Sequence, residues 1–299
     1  MPKLQRLARL VASLLCCATL SAQSALSTDP APDKANPAAI QTFQLPGHGA
    51  LLNALVYVAA GAGPHPTVIL LHGFPGNERN LDLAQSIRRA GWNVLFFDYH
   101  GSWGSPGDFS FTHSIEDTYA AIAYLRDPAK AANLRSDPAN IVLIGHSMGG
   151  FVARYAAAHD PAIKAVALIS AADMAVDTVE SIPSAHRSMA AASIAAHFAN
   201  EGMAPLAGCT PDSLAQEVIA NADAWNIPNL APALATRPVL VITSDDGLQP
   251  SNDAFVAALH KAGAARVKTL HLATDHSYSD KRIALQSAVL DFLATLPGK

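Results

Sequence analysis

Gly145-His146-Ser147-Met148-Gly149 carries the most legible chemistry in the chain, because a serine between two glycines in a sharp turn can be held out as a nucleophile. Its neighbours supply the setting. Ile141-Val142-Leu143-Ile144 reads as a buried strand before the turn, and Phe151 to Ala158 reads as a helix after it. Strand, turn and helix together impose strained backbone angles on Ser147, so the flanking positions must lack side chains. Gly145 and Gly149 meet that demand, and Gly150 lets the helix pack closer. The same geometry aims the Met148 N–H and the positive end of the helix at the hydroxyl, where developing negative charge would be stabilised. The bland alternative is a glycine-rich turn of any α/β protein, and the strand and helix on either side weigh against it.

A serine hydroxyl is a weak nucleophile at neutral pH; it needs a base in reach and an anion to orient that base. Two strand ends offer them. The strand Val239-Leu240-Val241-Ile242 leads into Thr243-Ser244-Asp245-Asp246-Gly247-Leu248-Gln249-Pro250, and the strand ending at Leu272 leads into Ala273-Thr274-Asp275-His276-Ser277. At these residues the chain closely resembles the α/β-hydrolase superfamily, whose order along the chain is serine, acid, histidine. The resemblance runs from about Ile40 to the C-terminus and touches both carboxylesterases and the prolyl-oligopeptidase and aminopeptidase branches. It implies Ser147 as nucleophile, Asp246 as acid and His276 as base. It also implies an oxyanion loop at His72-Gly73-Phe74-Pro75-Gly76, where the Phe74 N–H joins that of Met148. The chain departs from the family's pattern at Thr243, where a glycine is usual, at Gln249, where an apolar residue is usual, and at His100, where the turn often carries Arg. The first departure keeps Asp245 open beside Asp246. Asp275 reads as a turn residue, Asp98 likewise, and His72 and His146 as structural neighbours of the site.

The elements that must position these residues alternate. Strands are predicted at Ile40–Leu45, Leu51–Val58, Thr67–Leu71, Asn93–Phe97, Asn140–Ile144 and Ala165–Ile169, with helices between most of the later ones. One helix is expected after Asn80 as N-cap, ending before Gly91, and another is expected to start at Ser114 with Asp117 three residues on. This implies a mostly parallel central sheet with helices on both faces. From residue 171 to 236 the strand rhythm stops, and only helical runs remain, Ser188–Phe198 and Pro211–Ala222, the latter capped by Thr210. That stretch is expected as a helical lid inserted into a core of residues 40–170 and 237–299, the α/β-hydrolase fold that the resemblance implies. Strands at Val239–Thr243 and Val267–Leu272 and a closing helix marked by Leu285, Val289, Phe292 and Leu293 complete it.

Composition bounds the rest. Half of the 299 residues are hydrophobic and 15% charged, which suits a large buried core, and a net charge of −4 without a basic stripe excludes nucleic acid as an expected partner. Lys3, Arg6 and Arg9 followed by apolar Leu10–Leu20 read as a signal peptide, residues 1–24, cleaved after Ser24; a lipoprotein at Cys16 or Cys17 is the weaker reading. Export to the periplasm or medium follows, with no membrane span after its removal and with Cys209 as the one remaining thiol. Residues 25–39, rich in Ala, Pro, Asp and Ser, read as a disordered linker. The twelve histidines show no metal-ligand spacing, and neither a metal nor an organic cofactor is implied. The expected function is an exported serine hydrolase of carboxylic esters. A serine peptidase is the alternative, with Glu201 as the carboxylate that would bind a substrate ammonium, and a non-catalytic ligand-binding scaffold is the reading from another class.

Overall fold

Runs such as Val68-Ile69-Leu70-Leu71 and Val239-Leu240-Val241-Ile242 have no polar face, so each must be covered on both sides. In the computed structural model, which describes residues 25–174 and 182–297, they lie inside an eight-stranded sheet. The expected signal peptide and residues 175–181 of the expected lid lie outside the described residues. The strands are β1 (Ala39–Pro46), β2 (Leu51–Val58), β3 (His65–Leu71), β4 (Asn93–Phe97), β5 (Ser136–His146), β6 (Ala165–Ile169), β7 (Val239–Thr243) and β8 (Val267–His271). Their spatial order is β1-β2-β4-β3-β5-β6-β7-β8, antiparallel at β1/β2 and β2/β4 and parallel elsewhere.

The helices are α1 (Leu81–Arg89), α2 (Phe111–Arg126), α3 (Pro128–Leu134), α4 (Met148–His159), α5 (Ala191–Asn200), α6 (Pro211–Asn221), α7 (Ala231–Leu234), α8 (Gln249–Lys261) and α9 (Arg282–Leu293). Alternate strand residues sort them into two layers. Ile69, Leu143 and Val241 pack with Ile115 of α2, Phe151 of α4 and Phe255 of α8. Val68, Ile144 and Ile242 pack with Leu83 and Ile87 of α1 and Leu285 and Val289 of α9. Each of these fully buried side chains contributes about 1.5–3 kcal/mol relative to exposure, which is why the strand pattern is so readable.

Between β6 and β7 the described residues hold α5, α6, α7 and two short 3-10 turns, with no strand. Phe198, Leu214, Val218 and Trp225 join the core cluster of α2 and α4, so this segment is packed onto the first layer. Polar bonds fasten it as well. The Glu217 carboxylate accepts from the backbone N–H groups of Phe111 (3.0 Å) and Thr112 (2.8 Å), capping α2 from outside. Gly101, Trp103 and Phe109 exchange backbone bonds of 2.7–2.9 Å with Pro205 and Ala207.

The sequence misplaces the start of α2. Ser110, not Ser114, is its N-cap, accepting from His113 N at 2.9 Å, and Ser114 is buried one turn inside. Asp117 faces inward and takes the His100 N–H (2.8 Å) and ring Nδ1–H (2.5 Å). Asn80 does precede α1, but it lies in the left-handed region at φ 55° and gives no side-chain cap; its Oδ1 accepts from Arg282 (3.0 Å) instead. Residues 28–38, expected as a linker, carry no helix or strand, and there Asp33 Oδ1 accepts from Ala35 and Asn36 N–H at 2.9 Å while Arg135 holds the Pro37 carbonyl at 2.8 Å. Among the described residues no helix is long and apolar enough to cross a membrane.

Candidate active site

The chain leaves β3 for β4 on one side and places β5 on the other, so the carboxyl ends of β3 and β5 flank a crevice of the kind that binds ligands in open parallel sheets. Both ends carry the expected chemistry. Leu71 pairs with Gly145, which brings the His72–Gly76 loop beside the serine turn. Ser147 adopts φ 55° and ψ −124°, a conformation that costs on the order of 1–3 kcal/mol for a residue with a side chain. The surrounding glycines make it attainable: a Cβ on Gly145 would collide with the Gly149 carbonyl, on Gly149 with the Leu71 carbonyl, and on Gly150 with the Ala171 side chain. Met148 is the first residue of α4, so its N–H is among the donors that the helix itself leaves unused.

His276 follows β8, and its Nδ1–H donates to Asp246 Oδ2 at 2.7 Å, leaving Nε2 for proton exchange. Asp246 follows β7 with its side chain only 5% exposed. Burial pushes its carboxyl up, but hydrogen bonds from His276, the Leu248 N–H (3.0 Å) and Ser244 (2.9 Å), with the Ser170 hydroxyl behind Ser244, outweigh this and hold it well below the usual carboxylate range. Asp245 points elsewhere. It is 62% exposed and meets His271 Nε2 at 3.1 Å, so of the two candidates only Asp246 reaches His276. Asp275 caps its own turn through the Ser279 N–H at 2.8 Å.

Two buried histidines brace the backbone of the site. The His72 Nδ1–H donates to the Gly73 carbonyl at 2.8 Å, and that carbonyl shares its peptide plane with the Phe74 N–H. The bond therefore fixes the direction of the expected oxyanion donor. The His146 Nε2–H donates to the His276 carbonyl at 2.9 Å. Burial lowers His72 to about 4 and His146 to about 3, so both stay neutral and keep these single roles at ordinary pH. Asp98, near His72, is raised by burial to about 6 although Arg79 stands 3.2 Å away and pulls the other way.

Sequence reasoning missed the support behind Asp246. Ser170 Oγ lies 2.9 Å from Ser244 Oγ and 2.8 Å from the Tyr278 hydroxyl, a buried chain of hydroxyls that ends on the acid through Ser244. Ser170 and Tyr278 both have positive φ, at 41° and 57°. Nothing in their sequence neighbourhood signals it; Ser244 alone, inside the Asp245-Asp246 motif, was open to suspicion.

Ser147, Met148, Phe74, Asp246 and His276 line one cavity of about 350 Å³. Its apolar wall comes from Phe74, Met174, Leu248 and Phe198, the last of these from α5, with Phe74 and Phe198 rings 5.4 Å apart. Glu201, at the end of α5, also lines it. Cys209 is half-buried away from this cavity, and burial, followed by the charges of Asp108 and Glu217, raises its thiol. Among the described residues no three His, Cys, Asp or Glu side chains group to hold a metal.

A family model described as "alpha/beta hydrolase fold" matches residues 66–244, from β3 through β7. The chain belongs to the alpha/beta hydrolase fold family. Relatives by sequence match this alpha/beta hydrolase over part of their length only. A probable 1-acylglycerol-3-phosphate O-acyltransferase of Oryza sativa subsp. japonica is 33% identical over 123 residues, 39% of this chain and 28% of that protein. An uncharacterized protein of Salmonella typhimurium, YfhR, is 35% identical over 85 residues, 28% of this chain and 27% of that one. The chain thus spans less than two thirds of the length of the curated relatives it matches. Solved structures align over nearly the whole alpha/beta hydrolase. The thermostable carboxylesterase EstE1 from a metagenomic library has a TM-score of 0.61 at 20% identity, covering 97% of each chain. The Pyrobaculum calidifontis esterase has a TM-score of 0.59 at 19% identity, covering 97% of this chain and 96% of that one. At such identity the likeness is one of fold.

Proposed function

We propose that this protein is a serine hydrolase that cleaves carboxylic esters by acyl transfer. Ser147 Oγ attacks the ester carbonyl while His276 Nε2 takes its proton, and Asp246 holds the ring and stabilises the imidazolium. The resulting oxyanion sits between the N–H groups of Phe74 and Met148; such a donor is worth about 3–4 kcal/mol in the transition state. His276 returns the proton to the departing alcohol. Water then attacks the acyl-enzyme by the same route and frees the acid. The observation that carries this reading is the 2.7 Å bond from His276 to a buried, ionised Asp246 in the cavity of a strained Ser147. A binding scaffold has no use for strain at a serine, which persists only where the surroundings enforce it.

The apolar wall contributed by Phe198 and Met174 supports an ester over a peptide, because it offers an acyl or alkyl group burial without a partner for a second amide. In this reading α5 and its neighbours serve as a cap on the reaction centre. Comparison of kcat/KM for short p-nitrophenyl esters with aminoacyl and prolyl anilides is the test. The expected result is ester cleavage that exceeds anilide cleavage; anilides turned over as efficiently as the activated esters would overturn the reading in favour of a peptidase.

A further inference from the structure

The reaction centre lies on a boundary between unlike surfaces. On one side is the apolar hollow walled by Phe198, Met174 and Leu248. On the other is an adjoining hollow of about 190 Å³ that shares Ser147, His276, Phe74 and Glu201 with the first and adds Asn77, Glu78 and Ser277. Among the described residues no lysine or arginine lines either hollow. Glu201, in both, has no ion-pair partner among the described residues. Glu78 accepts from the Asn80 N–H at 2.5 Å, and the nearest cation, Arg282 at 3.9 Å, is engaged with Asp82 at 2.5 Å. His146 is held neutral by burial, and the Asp246 carboxylate is turned toward the His276 ring.

An ester bound at Ser147 must place one half in each hollow. The second half therefore meets two carboxylates whose fields add across the mouth of the cleft, weakened by the solvent that reaches them. A cation there is attracted; an anion is repelled by the same groups.

We propose that Glu201, together with Glu78 in the same hollow, selects esters that are apolar on one side of the carbonyl and carry an ammonium group on the other. This rests on the hydrolase reading above and names its substrate class. Glu201 is exposed, so its effect on a mobile ammonium is modest, about three- to tenfold in kcat/KM.

The test compares butyrylcholine with its neutral isostere 3,3-dimethylbutyl butyrate, together with the reversed pair in which the acyl half carries the trimethylammonium and the alcohol half is butyl. The readout is the ratio of kcat/KM, cationic over neutral, so that effects on the chemistry itself cancel. In at least one orientation the ratio should exceed about threefold, fall toward one in Glu201→Gln and further in Glu201→Gln/Glu78→Gln, and decline with added salt. A ratio at or below one in both orientations, or a preference unchanged in the double variant, would overturn the proposal while leaving ester hydrolysis standing. No hydrolysis of any of the four esters would instead remove the hydrolase reading, and this proposal with it.

Discussion

Asp245 and Asp246 are chemically identical neighbours with opposite surroundings, and the difference decides which of them reaches His276. Asp246 receives the His276 ring, the Ser244 hydroxyl and the Leu248 N–H, whereas Asp245 lies in solvent against His271. Asp246→Asn should lower turnover on the order of 10³–10⁴-fold, because the amide no longer favours the needed tautomer or stabilises the imidazolium. Asp245→Asn should leave turnover near that of the parent, and steady-state rates on one p-nitrophenyl ester check both; reversed results would refute the assignment. The depressed folded-state pKa of Asp246 also stabilises the fold above the usual carboxylate range, an effect lost as pH falls through the depressed value. The same variant should therefore be less stable than the parent near neutrality, with the gap closing in strong acid. Spacing after β7 located the acid to within one residue and no closer, because Thr243 stands where a glycine would have marked the register. The groups that choose between the two carboxylates include Ser170 and Tyr278, far away in sequence and held at backbone angles that no local pattern announces.

Strands buried on both faces and helices with strong punctuation were legible because their signals are local: β4, β6 and β7 have the bounds that their apolar runs predict, and α6 begins at Pro211 after Thr210. Elements whose ends are decided by distant partners were not. Ser114 and Asp117 look like an N-cap and its reciprocal acid, but His100 draws Asp117 inward and Glu217, from α6, caps the helix four residues earlier. Helices α3, α7 and α8 were not anticipated. The Glu217 cap joins the inserted helices to the core, so Glu217→Ala should destabilise the protein by about 1–2 kcal/mol, and Glu217→Gln, which keeps an acceptor, by less. Urea denaturation measures this through the midpoint at constant slope. Equal midpoints for all three proteins would mean that packing by Phe198 and Trp225 alone seats the segment.

The whole molecule places four strand ends, those of β3, β5, β7 and β8, around one crevice. The order of β3, β4 and β5 opens it, the loops after β7 and β8 bring Asp246 and His276 to it, and α5 adds Phe198 to its apolar wall. That order was not readable from the chain, since strand adjacency depends on contacts remote in sequence, whereas Ser147, Asp246 and His276 could be singled out because each follows a recognisable strand. The central claim, that this arrangement makes Ser147 a nucleophile, is tested most directly by labelling the folded protein with a fluorophosphonate and measuring intact mass and labelled peptides. One adduct on the peptide containing Ser147, absent from Ser147→Ala and greatly slowed in a His276→Ala variant, is the predicted result; no adduct on the parent protein, or equal labelling of Ser147→Ala, would contradict it.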